Sequence, residues 1–146
     1  MEFIKKEYPN IQIDWFVQKG FEGILEHNPY IDNIYILDLK SIKKRFLNIF
    51  IEIAKIRDFS KNDYDLVIDF QGLIKSAITS RLLGKKVIGF SKISIKESLA
   101  SIFYCKKVDV DYSENTIKRY AFLCEKALNI KIDIDKKEKS LFYSET

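Results

Sequence analysis

The segment from Tyr64 to Asp69 constrains the possible fold more than any other part of the chain. Its centre at 66–68 is continuously apolar, which is typical of a strand that is buried on both faces in a parallel sheet. A pattern with helical spacing starts directly after it, at about Gly72, and extends to Leu83. A strand followed at once by a helix predicts a βαβ unit.

The rest of the chain repeats this alternation of strands and helices. We therefore predict an α/β fold, a Rossmann-like parallel sheet whose strands are joined by right-handed helical crossovers. The length of 146 residues suits one domain, which we place at 1–135, with 136–146 as a charged tail or the start of an interdomain connection. The predicted strands are at about 11–17, 33–37, 65–69 and 86–90, with a further short strand near 107–110.

Helix-start and helix-stop signals mark the segments between the strands. A short helix is predicted at 20–27, and Ser41 is predicted to open a long amphipathic helix. A capping-box pattern at 94–97 predicts another helix start. The signal at 111–114 predicts a last helix, with Asn129 as its stop. The apolar side of the long helix comprises Ile42, Phe46, Ile49, Phe50, Ile53 and Ile56.

Composition excludes several classes of protein. Hydrophobic residues make up 47% of the chain and charged residues 32%, which are ordinary proportions for a soluble globular protein. No apolar run approaches the roughly 18 residues of a membrane-spanning helix, and the N-terminus does not resemble a signal peptide, so a cytoplasmic location is expected. Cys105 and Cys124 have no ligand spacing that predicts a metal site. The net charge of +4 favours anionic partners weakly, and the dense basic and aromatic pattern of nucleic-acid-binding modules is lacking.

The junction that follows the strand at 65–69 is the first candidate site, because ligands of parallel sheets bind beyond the carboxyl ends of the strands. Gln71 and Gly72 occupy this junction, where a glycine permits close backbone approach and the N–H groups of a helix start favour an anion. Lys75 and Ser76 add a charge and a hydroxyl donor. The alternative is a tight turn before a capped helix, without a ligand, since one glycine is a weak signal.

A basic cluster at the predicted start of the long helix is the second candidate. It consists of Lys40, Lys43, Lys44 and Arg45. Cations are unfavourable near the positive end of a helix dipole, so an anionic ligand would explain the cluster. A solvated, charged surface explains it equally well.

Four ordered segments resemble one known family, the lipopolysaccharide heptosyltransferases of type I in glycosyltransferase family 9. The most specific is Tyr64–Ser76, which is similar to the family signature YDxVIDxQGLxKS. The residues at 13–15 and 20–21 resemble the family's IDW…GF segment.

The other two segments lie later in the chain. Lys96–Tyr104 resembles the family's REPLASxFY stretch, with Ser98 in place of the usual proline. Asn115–Arg119 resembles its HAVER segment, of whose polar positions only Arg119 is retained. The resemblance runs in register from about residue 3 to residue 130.

The resemblance implies a two-domain GT-B fold, of which this chain would be the N-terminal, acceptor-binding half. Enzymes of the family transfer heptose from ADP-heptose, held by the C-terminal domain, to a Kdo sugar of the lipid A inner core. They use an inverting displacement without a metal or another cofactor. Peripheral contact with the cytoplasmic face of the inner membrane is expected to follow from the lipid acceptor and not from an inserted segment. The acceptor-binding residues that we predict are Gln71, Gly72, Lys75, Ser76, Lys43, Lys44, Arg45 and Arg119.

The chain departs from the family at its start. In the family, an aspartate in a Gly-Asp loop after the first strand takes the proton of the acceptor hydroxyl, and no such loop precedes Ile11. Met1 aligns inside the first helix, so the first strand, the base and the nucleotide-binding domain are expected to be missing. Asp14 and Asp69 lie in other motifs and do not inherit the base role. No catalytic residue is assigned, and the fragment alone is expected to be inactive.

Two other classes of protein fit the order of elements, a non-catalytic α/β ligand-binding module and a receiver-like signalling domain. A receiver needs an acidic cluster near the end of its first strand and a lysine late in the chain, and the sequence shows no such set.

Overall fold

A computed structural model describes residues 1–43 and 45–133 of the chain. The predicted tail at 136–146 and the predicted site residue Lys44 lie outside the described residues, as does the side chain of Lys43. The described chain forms two compact units, which fall within residues 1–52 and 53–133. Each unit contains parallel strands and helical segments.

The first unit contains helix α1 (Glu2–Glu7) and the parallel strands β1 (Asp14–Gln18) and β2 (Asn33–Leu37). The two strands pair along their whole length. Phe16 and Tyr35 face each other across the pair, and their stacked ring centroids are 5.1 Å apart. Such cross-strand aromatic pairs stabilise a sheet.

The carboxylate of Asp32 links these elements. It accepts hydrogen bonds from the backbone N–H of Ile13 at 2.6 Å and from Nζ of Lys5 at 2.7 Å. Lys5 also donates to the carbonyl of Ile11 at 2.7 Å. The hydrogen bond from Lys5, followed by that from Ile13, holds the pKa of Asp32 below its ordinary value.

The helix predicted at 20–27 is wrong in its extent. The chain forms only a 3₁₀ turn at Glu22–Ile24. Gly20 and His27 have positive φ angles of 93° and 62°, so the backbone leaves the right-handed helical region on both sides of the turn.

The long helix predicted from Ser41 is also wrong at its start. A 3₁₀ turn spans Ser41–Lys43, and helix α2 spans Asn48–Phe59. The hydroxyl of Ser41 donates back to the carbonyl of Asp38 at 2.8 Å, so it caps no helix that begins there. A helix through 43–45 would also place three cations at the positive end of its dipole.

Only part of the apolar side predicted for this helix is buried. Ile56 is buried and Ile53 is half-buried, whereas Phe46 and Phe50 are exposed. Because α2 begins at Asn48, Phe46 does not continue its helical face.

The second unit is an α/β core with three parallel strands in the order β3–β4–β5. These strands are β3 (Val67–Asp69), β4 (Val87–Phe90) and β5 (Lys106–Val108), and helices α3 (Ile74–Leu83) and α4 (Thr116–Leu128) belong to the same unit. Every residue of the central strand β4 is buried, as expected for a strand covered on both faces. The buried core comprises Ala77, Val87, Ile88, Phe90, Ile95, Ala100, Tyr104, Val108 and Leu123.

The capping box predicted for Ser94 and Glu97 does not form, and the chain instead makes a 3₁₀ helix at Ser98–Phe103. The buried hydroxyl of Ser94 accepts a hydrogen bond from the N–H of Val110 at 2.8 Å. The carboxylate of Glu97 accepts one from the N–H of Ile74 at 2.7 Å. Both side chains therefore serve distant backbone groups and are not available to a local helix.

Helix α4 is bounded by two asparagines. Oδ1 of Asn115 accepts from the N–H of Ile117 at 2.9 Å and caps the helix start. Asn129 has a φ of 56° and ends the helix, which confirms the predicted stop. The predicted start signal lies just before the helix, where Oδ1 of Asp111 accepts from the N–H of Ser113 at 2.8 Å and forms a turn.

The five predicted strand positions are confirmed, and within residues 1–43 and 45–133 the strand pairs are all parallel, in one two-stranded and one three-stranded sheet. In the part of the chain that the structure describes, no helix is long and apolar enough to cross a lipid bilayer.

Candidate functional site

Asp69, the last residue of β3, is buried and organises the junction between this strand and α3. Its Oδ1 accepts from the N–H groups of Gln71 and Gly72 at 2.9 and 3.3 Å. Its Oδ2 accepts from the hydroxyls of Ser76 and Tyr104 at 2.8 and 2.7 Å. These four donors replace the water that a carboxylate loses on burial. The side chain of Asp69 therefore stabilises the turn.

Tyr104 supplies the most distant of these donors. Burial, followed by the nearby carboxylate of Asp69, raises the pKa of its hydroxyl well above the ordinary value. The ring lies against Gly89 in β4, where an added Cβ would be 2.4 Å from ring carbon Cε2. Glycine at position 89 therefore makes room for the ring.

Gly72 is required at the junction for two reasons. Its φ of 64° lies in the left-handed region, which favours glycine. An added Cβ would also lie 2.4 Å from Cγ2 of Ile95. The sharp turn between β3 and α3 thus depends on this residue in both conformation and packing.

Side chains of the protein itself occupy the N–H groups at the start of α3. Oγ of Ser76 accepts from the N–H of Leu73 at 3.1 Å, and Oε2 of Glu97 accepts from the N–H of Ile74 at 2.7 Å. A carboxylate at this helix end is also favoured by the helix dipole. These interactions support the turn-and-cap interpretation of the local structure.

The four residues predicted at this junction fall into two pairs. Gly72 is buried and Ser76 is half-buried against Asp69, whereas Gln71 and Lys75 are exposed. The inner pair therefore builds the turn, and the outer pair presents an amide and an ammonium group to solvent.

Arg119 lies against the segment that packs on the same turn. Its Nη2 donates to the carbonyl of Ser94, the residue before Ile95. The guanidinium is 4.9 Å from the ring centroids of both Phe90 and Tyr112, a cation–π arrangement with two rings. Its Nε is buried and has no hydrogen-bond partner among the described residues.

The predicted basic cluster belongs to the other compact unit. Arg45 and Lys40 are exposed, and Nζ of Lys40 lies 5.1 Å from the ring centroid of Phe21. A role of this cluster beside the junction at 69–76 stays a prediction.

Sequence reasoning missed three residues that support the junction, namely Tyr104, Glu97 and Gly89. Tyr104 and Glu97 both lie in the segment that resembles REPLASxFY, so the resemblance marked them without indicating their partners. Gly89 has no comparable signal, because its importance comes from a ring that packs on it from 15 residues away.

Comparison with known proteins shows the family to which this chain belongs. Residues 53–145 match the model of glycosyltransferase family 9 (heptosyltransferase), and the chain belongs to this family. The chain is 45% identical over 129 residues to lipopolysaccharide heptosyltransferase 1 of Campylobacter coli, covering 88% of this chain and 36% of the relative. It is 34% identical over 126 residues to the protein of that name from Pseudomonas aeruginosa, covering 83% and 35%. The chain thus spans about a third of the length of these relatives.

Solved structures agree with this assignment. The structure matches E. coli heptosyltransferase WaaC with ADP at a TM-score of 0.82 and 26% identity, covering 96% of this chain and 44% of that one. The complex of WaaC with ADP-2-deoxy-2-fluoro heptose matches at the same TM-score and covers 98% and 45%. The predicted fold class, an α/β arrangement from a GT-B glycosyltransferase, is confirmed.

Proposed function

We propose that this chain forms the acceptor-binding part of a heptosyltransferase that transfers heptose from ADP-heptose to a Kdo sugar of the lipid A inner core. One observation carries the proposal. The family signature from Asp69 to Ser76 folds into a hydrogen-bonded turn that holds Gln71 and Lys75 exposed at the carboxyl end of β3. In open parallel sheets, that end of the strands is where ligands bind.

The exposed side chains suit an acceptor that carries phosphates and carboxylates. The ammonium group of Lys75 can form charge-assisted hydrogen bonds with such groups. The amide of Gln71 can both donate and accept, which suits a sugar hydroxyl. Because Asp69 fixes the turn through four hydrogen bonds, both side chains start from a constrained backbone.

Asp69 acts as a positioning residue in this proposal. A general base needs an accessible oxygen within hydrogen-bond reach of the acceptor hydroxyl. The oxygens of Asp69 are buried and each already accepts two hydrogen bonds. The proton of the acceptor hydroxyl is therefore assigned to the aspartate of the family's Gly-Asp loop, and no described residue is given that role.

Binding measurements on the 146-residue chain test the proposal. We expect a Kdo-bearing lipid A analogue without acyl chains to bind, and ADP to bind far more weakly, when each is titrated in a calorimeter. Lys75→Ala should weaken acceptor binding about 5- to 10-fold, the loss expected for a charge-assisted hydrogen bond in partly exposed surroundings.

Lys85→Ala is the matched control. Lys85 is also exposed but precedes β4, so it lies at the amino end of the strands, away from the proposed site. Acceptor binding should be the same in this variant and in the unmodified chain. Equal losses in the two variants, or tighter binding of ADP than of the acceptor, would overturn the assignment.

A further inference from the structure

Arg119, in the first turn of α4, is surrounded by groups of the protein itself. Its Cζ lies over the rings of Phe90 and Tyr112, 4.9 Å from each ring centroid. Its Nη2 donates to the carbonyl oxygen of Ser94, and its Nε is buried. A guanidinium that stacks on rings and donates in its own plane is held in one orientation. This group therefore already has partners within the protein.

The carbonyl that accepts this bond belongs to residues 94–97, which we call the supporting segment. Ile95 packs on Gly72, since a Cβ added to that glycine would lie 2.4 Å from Cγ2 of Ile95. Two residues further on, Oε2 of Glu97 accepts from the N–H of Ile74 at 2.7 Å. The supporting segment thus contacts both the turn after β3 and the start of α3.

Side-chain hydrogen bonds hold the supporting segment in place. The segment follows β4 and belongs to no helix or strand. Ser94 is buried, and its Oγ accepts from the N–H of Val110 at 2.8 Å. Arg119 adds a link from α4 to the carbonyl of the same residue. A hydrogen bond from a charged donor is stronger than one between neutral groups, so this link contributes substantially to the position of the segment.

We propose that Arg119 is a positioning residue of the acceptor site: it holds the supporting segment, which in turn holds the turn that carries Gln71 and Lys75. The inference rests on the proposed function for the acceptor alone, since the contacts that connect Arg119 with the turn are independent of it. Arg119 acts through the backbone of Ser94, and Lys75 meets the anionic groups of the acceptor.

Amide hydrogen exchange followed by NMR tests the link without an acceptor. The N–H groups of Gln71 and Gly72 bond to Asp69 inside the turn, so their exchange rates report how often the turn opens. Arg119→Met keeps an apolar stem but removes the guanidinium. It should speed the exchange of these two amides about tenfold, because the supporting segment loses a charged donor.

Lys118→Met is the matched control. It removes one charge from the same turn of α4, and the exposed ammonium that it removes lies 3.9 Å from Glu114, an ion pair of little stability. Exchange at Gln71 and Gly72 should be unchanged. In Arg119→Met, exchange should rise by a larger factor at these two amides than at Leu123, which is buried in α4. Equal factors would indicate general destabilisation and overturn the proposal.

Titration with the Kdo-bearing lipid A analogue at increasing salt separates positioning from direct contact. Salt weakens an ion pair between protein and ligand. Lys75→Ala should therefore lower both the affinity and its dependence on salt. Arg119→Met should lower the affinity about fivefold and leave its salt dependence equal to that of Lys118→Met.

Arg119→Lys is a second variant and the milder one, to be measured in the same way if Arg119→Met does not fold. Lysine keeps the charge but lacks the planar group that stacks on the rings, so it should not restore the affinity. Full recovery with lysine, or a loss of salt dependence in Arg119→Met with unchanged amide exchange, would place Arg119 on the acceptor and overturn the proposal. If the unmodified chain binds no acceptor, the proposed function fails, whereas the exchange rates still decide whether Arg119 holds the turn.

Discussion

The hydroxyl of Tyr104 donates a 2.7 Å hydrogen bond to Oδ2 of Asp69, and both residues are buried. The bond spans 35 positions of the sequence and connects the end of β3 with the segment that leads into β5. It also completes the set of donors around a buried carboxylate. The turn that carries Gln71 and Lys75 thus depends on a side chain from another part of the unit.

Replacing this hydroxyl should destabilise the fold. We expect Tyr104→Phe to lower the free energy of unfolding by about 1–3 kcal/mol, because a buried charged acceptor loses one donor. Urea unfolding followed by circular dichroism measures the change. Tyr112→Phe is the control: its hydroxyl is on an exposed residue, and its free energy of unfolding should stay within about 0.5 kcal/mol of the unmodified chain.

The same residue predicts a pH dependence at alkaline pH. Because the pKa of Tyr104 is raised in the folded state, the folded chain holds this proton more tightly than the unfolded chain. The stabilisation is complete below the ordinary pKa of 10.0 and is lost progressively as the pH rises above it. As the pH is raised into the alkaline range, the free energy of unfolding should therefore fall less steeply for Tyr104→Phe than for the unmodified chain. Identical alkaline slopes would contradict burial of this hydroxyl.

Alanine substitutions at two glycines with positive φ distinguish the cost of backbone strain from the cost of steric overlap. Gly20→Ala introduces a side chain at φ 93°, and among the described residues no atom outside its two chain neighbours lies within 4 Å of the added Cβ, so strain alone should cost about 1 kcal/mol. Gly72→Ala adds a contact of 2.4 Å with Ile95, and overpacking of this kind costs about 1–3 kcal/mol more. Chemical denaturation of both variants compares the two costs. If Gly20→Ala proved the more harmful, the packing of Ile95 on the turn would be refuted.

Asp32 should control stability at acid pH. Its pKa is lowered in the folded state, so its contribution is present above the ordinary value of 3.8 and is lost as the pH falls through the lowered pKa. Asp32→Asn should lower the free energy of unfolding at neutral pH. It should also make that free energy depend less on pH in the acid range. Lys5→Met removes the partner at 2.7 Å, and the two substitutions together should cost less than the sum of their separate effects. If the effects of the two substitutions on the free energy of unfolding simply added, the interaction between Lys5 and Asp32 would be refuted.

The two cysteines should differ in reactivity. Cys105 is exposed, whereas Cys124 is buried in α4 and burial raises the pKa of its thiol to about 11. A disulfide reagent at mildly alkaline pH should therefore modify Cys105 rapidly and Cys124 only after denaturant is added. Cys105→Ser should abolish the fast reaction. Rapid modification of Cys124 in the folded chain would show that α4 packs differently.

The sequence predicts the order of strands and helices well, because period-two and helical patterns reflect which faces are buried. It predicts helix boundaries less well where side chains have distant partners. The sequence predicts that Ser94 and Glu97 cap a local helix. In the fold, the backbone N–H of Val110 bonds to Ser94 and that of Ile74 bonds to Glu97 instead. Local patterns contain no information about such competition.

The candidate site is only partly predictable for the same reason. The junction at Gln71 and Lys75 follows from the position of β3 and from the family signature. The four donors around Asp69 do not, because one of them, Tyr104, is remote in sequence. The outward orientation of Phe50 is likewise unpredictable from helical spacing alone, since it follows from the buried hydrogen bond of Glu52.

The packing of Tyr104 on Gly89 has a consequence for how this region can diverge between species. A side chain at position 89 collides with the ring, so replacing Gly89 first passes through a destabilised protein. Replacing Tyr104 by a smaller residue first opens the space in which residue 89 can then enlarge, at the expense of the donor to Asp69. The two positions are therefore epistatic, and the order of mutations determines which of them selection can tolerate.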